Sequence, residues 1–146
     1  MTEKEKRDFV NTLYKIASPK TKKTILEMIN KYPRVFYYFD LVKFKVLVGD
    51  VVEYNGNLDF NGLPITHLGN LERINGWLDL DNTKIETLGN LEFVGHWLNL
   101  EDTSLTNLGK LKYVGDSFIL NDIIKKEDLP KNLIVKGAIY YKNAIY

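Results

Sequence analysis

The segment LDLDNTKIETLGNLEFVGHW (78–97) decides the fold, because similar segments stand directly before and after it. The chain reads LDFNGLPITHLGNLERINGW over 58–77 and LNLEDTSLTNLGKLKYVGDS over 98–117, so the period is 20 residues. Six positions are apolar in all three copies. These columns are Leu58/Leu78/Leu98, Phe60/Leu80/Leu100, Ile65/Ile85/Leu105, Leu68/Leu88/Leu108, Leu71/Leu91/Leu111 and Ile74/Val94/Val114. Such a repeat predicts a solenoid, in which each coil buries its apolar side chains against its neighbours.

The spacing within one repeat indicates how the backbone runs. Residues 78–81 alternate apolar and polar, which is typical of a half-buried strand. Glycine recurs at one phase, where we expect a turn with positive φ, at Gly49, Gly69, Gly89 and Gly109. A coil of 20 residues is too short for a strand, a loop and a long helix. We therefore expect equivalent strands of successive coils to stack ~4.8 Å apart in a parallel sheet.

The repeat resembles known classes of solenoid. Residues 88–100, LGNLEFVGHWLNL, follow the spacing of short leucine-rich repeats and are similar to the right-handed β-helical repeats of L domains. They also resemble the LGNL…VGG repeats of phage and bacterial proteins. The resemblance implies a right-handed parallel-β solenoid of about 4–5 coils, a protein-binding role and, for a phage protein, inhibition of a host protein. One departure is that Thr83 and Thr103, flanked by Leu63 and Ile123, replace the usual asparagine column.

The segment before the repeats has the pattern of helices. Thr2-x-x-Glu5 matches a capping box, and an apolar stripe follows over 9–17. Ser18-Pro19 predicts the N-cap and first position of a second helix, which we expect to end at Tyr32-Pro33. The side chains expected to face inward from this helix are Ile25, Met28 and Ile29.

The junction between the helices and the repeats is less regular. Residues 34–39 fit a short helix or a strand equally well. From 42 to 48 the alternation of Val42, Phe44, Val46 and Val48 favours a strand. The fold class is therefore α+β in one structural domain. A helical N-terminal cap is expected over 1–41, and a leucine-rich-repeat-like solenoid with a degenerate last coil over 42–146.

The net charge of +1 conceals an uneven distribution along the chain. Residues 1–48 carry 11 basic and 5 acidic side chains, a net charge of +6. Residues 49–117 carry 4 basic and 11 acidic ones, a net charge of −7, and residues 118–146 have a net charge of +2. The asymmetry predicts either two surfaces with different partners or a dipolar molecule that self-associates, unless the opposite charges serve only solubility.

Few residues in the sequence could carry chemistry. There is no cysteine, and the two histidines, His67 and His96, lie at different phases of the repeat. No metal, phosphate-binding or nucleophile motif is present, so we expect no enzyme activity, no cofactor and no metal site. No apolar run reaches the ~20 residues of a membrane span, and the chain begins with polar residues. We therefore expect a cytoplasmic protein, in the host cytoplasm if it is phage-encoded.

The outward side of the predicted strands carries the candidate site. If Leu78 and Leu80 point inward, the residues between and beside them point outward. The resulting partner-binding residues are Asp59, Trp77, Asp79, Asp81, Trp97, Asn99 and Glu101. The next coil adds Ser117, Ile119 and Asn121 at the same phases. Stacked like charges repel, and tryptophan is enriched at binding hot spots. A basic protein segment, or an arginine stacked on tryptophan, fits this face.

The sequence is also compatible with other uses of these surfaces. The tryptophans could pack against the helical cap or form a homodimer interface, which would leave only solvated acids on the face. The runner-up function is nucleic-acid binding by the basic N-terminal helices, through Lys20, Lys22, Lys23 and Arg34.

Overall fold

Helical segments followed by a stack of short, mostly parallel strands make up the described part of the chain. In this computed structural model the described residues are 2, 4, 5, 7, 8, 18–32, 40–141, 144 and 145. Helix α1 spans Pro19–Lys31 and helix α2 spans Leu41–Leu47. None of the described helices is long and apolar enough to cross a membrane. The apolar stripe expected over 9–17 and the segment 34–39 lie outside the described residues.

The start signals expected for the N-terminal helices are confirmed. The Thr2 hydroxyl accepts a hydrogen bond from the Glu5 N–H (3.1 Å), and the Glu5 carboxylate accepts one from the Thr2 N–H (3.2 Å). Ser18 is the N-cap of α1, its side chain accepts from the Thr21 N–H (3.2 Å), and proline occupies the first turn. Ile25 is fully buried, so α1 packs with the face that its apolar pattern predicts.

The strand predicted over 42–48 is wrong, because these residues form α2. Asp40 caps this helix, with its carboxylate accepting a hydrogen bond from the Lys43 N–H (2.9 Å). Phe44 and Val46 are fully buried, and a spacing of two residues occurs on a helix this short as well as on a strand. The helix packs directly on the first coil, since the Val46 carbonyl oxygen lies 2.0 Å from where a Cβ on Gly69 would be.

The repeats form the expected parallel solenoid, with about four turns at a spacing of 20 residues. Each coil contributes one strand to each of two sheets. Sheet A contains β1 (Glu53–Tyr54), β3 (Arg73–Ile74), β5 (Phe93–Val94), β7 (Tyr113–Val114) and β9 (Ile134–Val135). Sheet B contains β2 (Leu58–Asp59), β4 (Leu78–Asp79), β6 (Leu98–Asn99), β8 (Phe118–Ile119), β10 (Ile139–Tyr141) and β11 (Ala144–Ile145).

The strand register follows the sequence columns. Leu58, Leu78, Leu98 and Phe118 are successive partners in sheet B, and all are buried. The four glycines expected at one turn phase all have positive φ, between 55° and 85°. The six apolar columns are buried throughout and form one continuous core. Backbone hydrogen bonds between coils therefore set both the spacing of the rungs and the stacking of equivalent side chains.

The last coil departs from the repeat. The register from β8 to β10 is 21 residues instead of 20, and Lys126–Asp128 form a short 3₁₀ helix. Strand β11 pairs antiparallel with β10 and ends sheet B. Asn121, expected on the outward face, is buried instead: its amide donates to the Leu105 carbonyl (2.8 Å) and to the Thr103 hydroxyl (3.2 Å).

Candidate partner-binding surface

Trp77 and Trp97 stack on the outer side of sheet B. Their ring centroids are 4.6 Å apart with an interplanar angle of 5°, and both side chains are half-buried. The stacking follows from the register, because each tryptophan directly precedes the paired residues Leu78 and Leu98. Leu78 and Leu80 are fully buried, as expected for the inward positions. Among the described residues, the only aromatic ring that stacks on either indole is the other indole.

The column Asp59, Asp79, Asn99 shapes the turn that follows each strand of sheet B. In each case a side-chain oxygen accepts a hydrogen bond of 2.9 Å from the backbone N–H two residues further on. This is the local bond of an Asx turn. Asn99 makes it without a charge, so the turn requires an oxygen acceptor and not a carboxylate. The negative charges of Asp59 and Asp79 are therefore additional to the needs of the fold.

The next acidic column carries an unsatisfied group. Asp81 is half-buried, and its Oδ1 is buried without a hydrogen-bond partner among the described residues. Burial raises the pKa of Asp81, and the carboxylates of Glu101, Asp79 and Asp102 add to the rise. Burial also raises the pKa of Asp79, against the hydrogen bond from the Asp81 N–H, while the Asp59 carboxylate adds to the rise. Burial and neighbouring carboxylates thus disfavour the ionised forms of both Asp79 and Asp81.

Sheet A carries a second outward row, which the sequence analysis missed. Phe93 stacks on Tyr113 with centroids 4.6 Å apart and an interplanar angle of 3°. The Arg73 guanidinium lies 3.6 Å from the centroid of Phe93, and its Nε is 3.7 Å from the Glu53 carboxylate. The row continues to Ile134, which is 52% exposed. Inward and outward positions alternate in sheet A as they do in sheet B. The sequence therefore does contain the signal for this row, because the row directly precedes the buried column that contains Ile74.

A tight corner joins the two sheets in each coil. A Cβ on Gly115 would lie 1.9 Å from the Gly95 carbonyl oxygen, and a Cβ on Gly95 would lie 2.2 Å from that of Asn75. In the first coils the glycine stands one position later in the repeat, where a Cβ on Gly76 would lie 2.3 Å from the Gly56 carbonyl oxygen. Only glycine allows coils to approach this closely. The corner therefore holds the aromatic stacks of both sheets in register.

The two histidines occupy different positions of the coil. The His67 Nδ1 accepts a hydrogen bond from the Gly69 N–H (2.9 Å), as the side chains of Thr87 and Asn107 do at the same phase. His67 is therefore a turn residue, and His96 lies exposed at another corner position. Among the described residues no group of three or more His, Asp or Glu side chains is placed to hold a metal ion.

Three of the four basic residues named for nucleic-acid binding lie on α1. Lys20 lies 3.8 Å from the Asp50 carboxylate, Lys22 is half-buried, and Lys23 is exposed. Arg34 lies outside the described residues. Lys20 thus faces an acidic residue of the same chain.

Comparison with known proteins gives no relative. No protein-family model matches the chain, and no curated protein or solved structure matches it significantly. The solenoid architecture therefore rests on the internal repeat and its geometry, and no relative supports assignment to the leucine-rich repeats.

Proposed function

We propose that the chain is a non-enzymatic protein-interaction module that binds a basic protein segment through the outer face of sheet B. The observation that carries the proposal is the acidic face itself, which stacks like charges beside a half-exposed tryptophan pair. Asp81 has a buried oxygen with no partner in the described part of the chain. A cationic group from a partner would pair with the exposed carboxylates of Asp59 and Glu101 and offset the repulsion on this face.

The column of Asp59, Asp79 and Asn99 supports a binding function, because its negative charges are not needed for folding. Since Asn99 forms the same turn as Asp79, a neutral side chain suffices for folding at this position. Like charges directly opposite each other in neighbouring strands destabilise a sheet by ~0.2–1 kcal/mol. Retaining Asp59 opposite Asp79 therefore costs stability, and binding of a cationic partner accounts for that cost.

The likeness of the repeats to those of leucine-rich-repeat and phage or bacterial proteins extends the proposal. On this basis we further propose that the chain is a cytoplasmic inhibitor that blocks a host protein sterically. Its acidic face would imitate the usual ligand of that host protein. Nucleic-acid binding by the helices receives no comparable support, because Lys20 already faces Asp50.

The test compares two double variants that each remove one stacked aromatic pair. Trp77→Ala with Trp97→Ala removes the pair on sheet B, and Phe93→Ala with Tyr113→Ala removes the matched pair on sheet A. Immobilised full chains are exposed to host lysate, and the captured proteins are quantified by mass spectrometry. We expect a captured protein with a basic surface to be lost by the tryptophan variant and retained by the control. Equal capture by both variants, with unchanged circular dichroism, would refute the proposal.

A further inference from the structure

The two aromatic stacks of the solenoid differ in one respect. On sheet A the chain supplies its own cation: the Arg73 guanidinium covers the end face of the Phe93–Tyr113 stack, 3.6 Å from the Phe93 centroid. Glu53 holds that guanidinium at 3.7 Å, and Asn75 accepts a hydrogen bond from its Nε (3.0 Å). A complete column therefore runs carboxylate, guanidinium, ring, ring.

The stack on sheet B has the two rings, and none of the described residues places a cation over them. Because Trp77 and Trp97 lie face to face, only the two end faces of the stack can receive another group. At the Trp77 end the column is occupied by Asn57, whose Oδ1 accepts a hydrogen bond from the Trp77 N–H (2.9 Å). Access to the stack is therefore at the Trp97 end.

At the Trp97 end the next two positions of the column hold small side chains. The pairs Leu98–Phe118 and Phe118–Ile139 place Ser117 and then Ala138 after Trp97. Neither side chain is large enough to cover an indole. The outer face of Trp97 is therefore open to a further group. On sheet A the corresponding position, over the ring of Phe93, is filled by the guanidinium.

Next to the outer face of Trp97 lies a carboxylate that has no ion-pair partner among the described residues. Asp116 directly precedes Ser117 and is exposed. Its Oδ1 lies 2.8 Å from where a Cβ on Gly137 would be, so the carboxylate is directed toward the last coil, the side on which Ser117 and Ala138 follow Trp97. No cationic side chain of the described residues forms an ion pair with Asp116.

We propose that the outer face of Trp97 is an arginine-binding position. The guanidinium of an arginine in the partner stacks on the indole over Ser117 and Ala138 and pairs with the Asp116 carboxylate. Arginine is favoured over lysine because its planar guanidinium both stacks and forms paired hydrogen bonds with a carboxylate. This inference rests on the proposed function and specifies the partner residue that the face recognises.

The experiment uses two defined peptides and the protein's own fluorescence. Trp77 and Trp97 are the only tryptophans in the chain, so their emission reports directly on the site. A nonapeptide of alternating glycine and arginine and its lysine counterpart are titrated into the full chain at low salt. We expect the arginine peptide to bind about tenfold more tightly, as a stacked guanidinium provides ~1–2 kcal/mol.

Three variants locate the binding. Ser117→Arg places a guanidinium of the chain itself over Trp97, and Ser104→Arg adds the same charge at an exposed serine elsewhere. We expect Ser117→Arg to weaken arginine-peptide binding about tenfold and abolish the preference over lysine, while Ser104→Arg stays within about twofold of wild type. Asp116→Asn, which removes only the charge, is expected to weaken arginine-peptide binding ~3–10-fold.

The outcomes separate this inference from the proposed function. If the unaltered chain binds neither peptide, both the proposed function and the arginine position are wrong. If it binds both peptides equally, or if Ser117→Arg and Asp116→Asn keep the full preference for arginine, only the arginine position is wrong. In that case the acidic face acts as a general cation-binding surface.

Discussion

Replacing Gly115 by alanine tests whether the tight corner holds the solenoid together. The added Cβ would lie 1.9 Å from the Gly95 carbonyl oxygen, whereas real Cβ atoms essentially never come closer than 3.0 Å to such an atom. The two coils must therefore separate by about 1 Å at this corner. The neighbouring atom belongs to the backbone, so no side-chain rotation relieves the clash.

The cost follows from the bonds that cross the corner. The Gly115 N–H donates to the Val94 carbonyl at 2.9 Å, and the Asp116 N–H donates to the His96 carbonyl at 3.2 Å. A displacement of about 1 Å takes both beyond hydrogen-bonding distance, at ~1 kcal/mol each. Loosened packing of the fully buried Val94 against Val114 adds ~1 kcal/mol. We expect Gly115→Ala to lower the free energy of unfolding by about 3 kcal/mol.

A matched glycine separates the clash from the loss of backbone freedom. Gly89 has φ of +57°, and a Cβ there would meet nothing closer than the Gly69 carbonyl oxygen at 3.8 Å. Gly89→Ala should therefore cost only the ~1–2 kcal/mol of a left-handed alanine. Asparagine tolerates this conformation, as Asn82 does in the native chain, so Gly89→Asn should recover much of that loss. Gly115→Asn should recover none.

Urea unfolding at 25 °C, followed by circular dichroism, measures these differences in free energy. The near-ultraviolet signal of the stacked tryptophans provides a second readout, because a displaced corner disturbs the neighbouring stack. The result that would refute this account is a free energy of unfolding for Gly115→Ala that lies within about 1 kcal/mol of the wild-type value, or that is no lower than the value for Gly89→Ala. In either case the corner is not tightly packed, and this explanation of the coil spacing is wrong.

Three further substitutions test the acidic face, the interior and the helical cap. Asp79→Asn should raise stability at pH 7 by ~0.2–1 kcal/mol. The pKa of Asp79 is raised in the folded chain, so its ionisation destabilises the fold at neutral pH. The stability gain of Asp79→Asn should therefore vanish as the pH falls toward 3.8, the ordinary pKa of an aspartate. Glu86→Gln is the control. Thr103→Val should cost ~1–3 kcal/mol and more than Thr83→Val, because only Thr103 also accepts a hydrogen bond from buried Asn121. Asp40→Ala, which removes the cap of α2, should cost ~1 kcal/mol in urea unfolding. A stability gain for Asp79→Asn that persists at pH 3, equal costs for the two threonines, or an unchanged Asp40→Ala would each contradict the corresponding argument.

The repeat predicts the coils well because every apolar column must be buried at the same place in each turn. Ile85, for example, could only be inside if Ile65 and Leu105 were, and all three are buried. The prediction fails at Asn121, which follows Glu101 by 20 residues in the same register but is buried, because its amide donates to the Leu105 carbonyl and its Oδ1 accepts from the Ile123 and Ile124 N–H groups.

The junction before the first coil could not be settled by alternation alone. Val42, Phe44, Val46 and Val48 alternate, yet Asp40 supplies a helix cap and the segment is helical. The N-cap signal at Asp40 was present in the sequence and outweighs a two-residue period over so few residues. The outward row of sheet A was equally predictable, since Phe93 and Tyr113 share a phase. The stacking of Arg73 on Phe93 was not, because it depends on side-chain conformation.

The rigidity of the rungs explains why the acidic face cannot relieve its own repulsion. Inter-coil hydrogen bonds of 2.9–3.0 Å fix Leu58, Phe60, Leu78 and Leu80 against the following coil, and the carboxylates of Asp59 and Asp79 between them are each held by a hydrogen bond from the N–H two residues further on. In a flexible loop, like charges would turn away from one another into water. Here Asp59 and Asp79 remain opposite each other whatever the solvent, so a counter-charge from outside is the means by which the face can gain energy while staying ionised. A stiff solenoid is therefore a preorganised binding surface, and a cationic partner would offset the repulsion between Asp59 and Asp79, which is one part of the cost that Asp79→Asn removes.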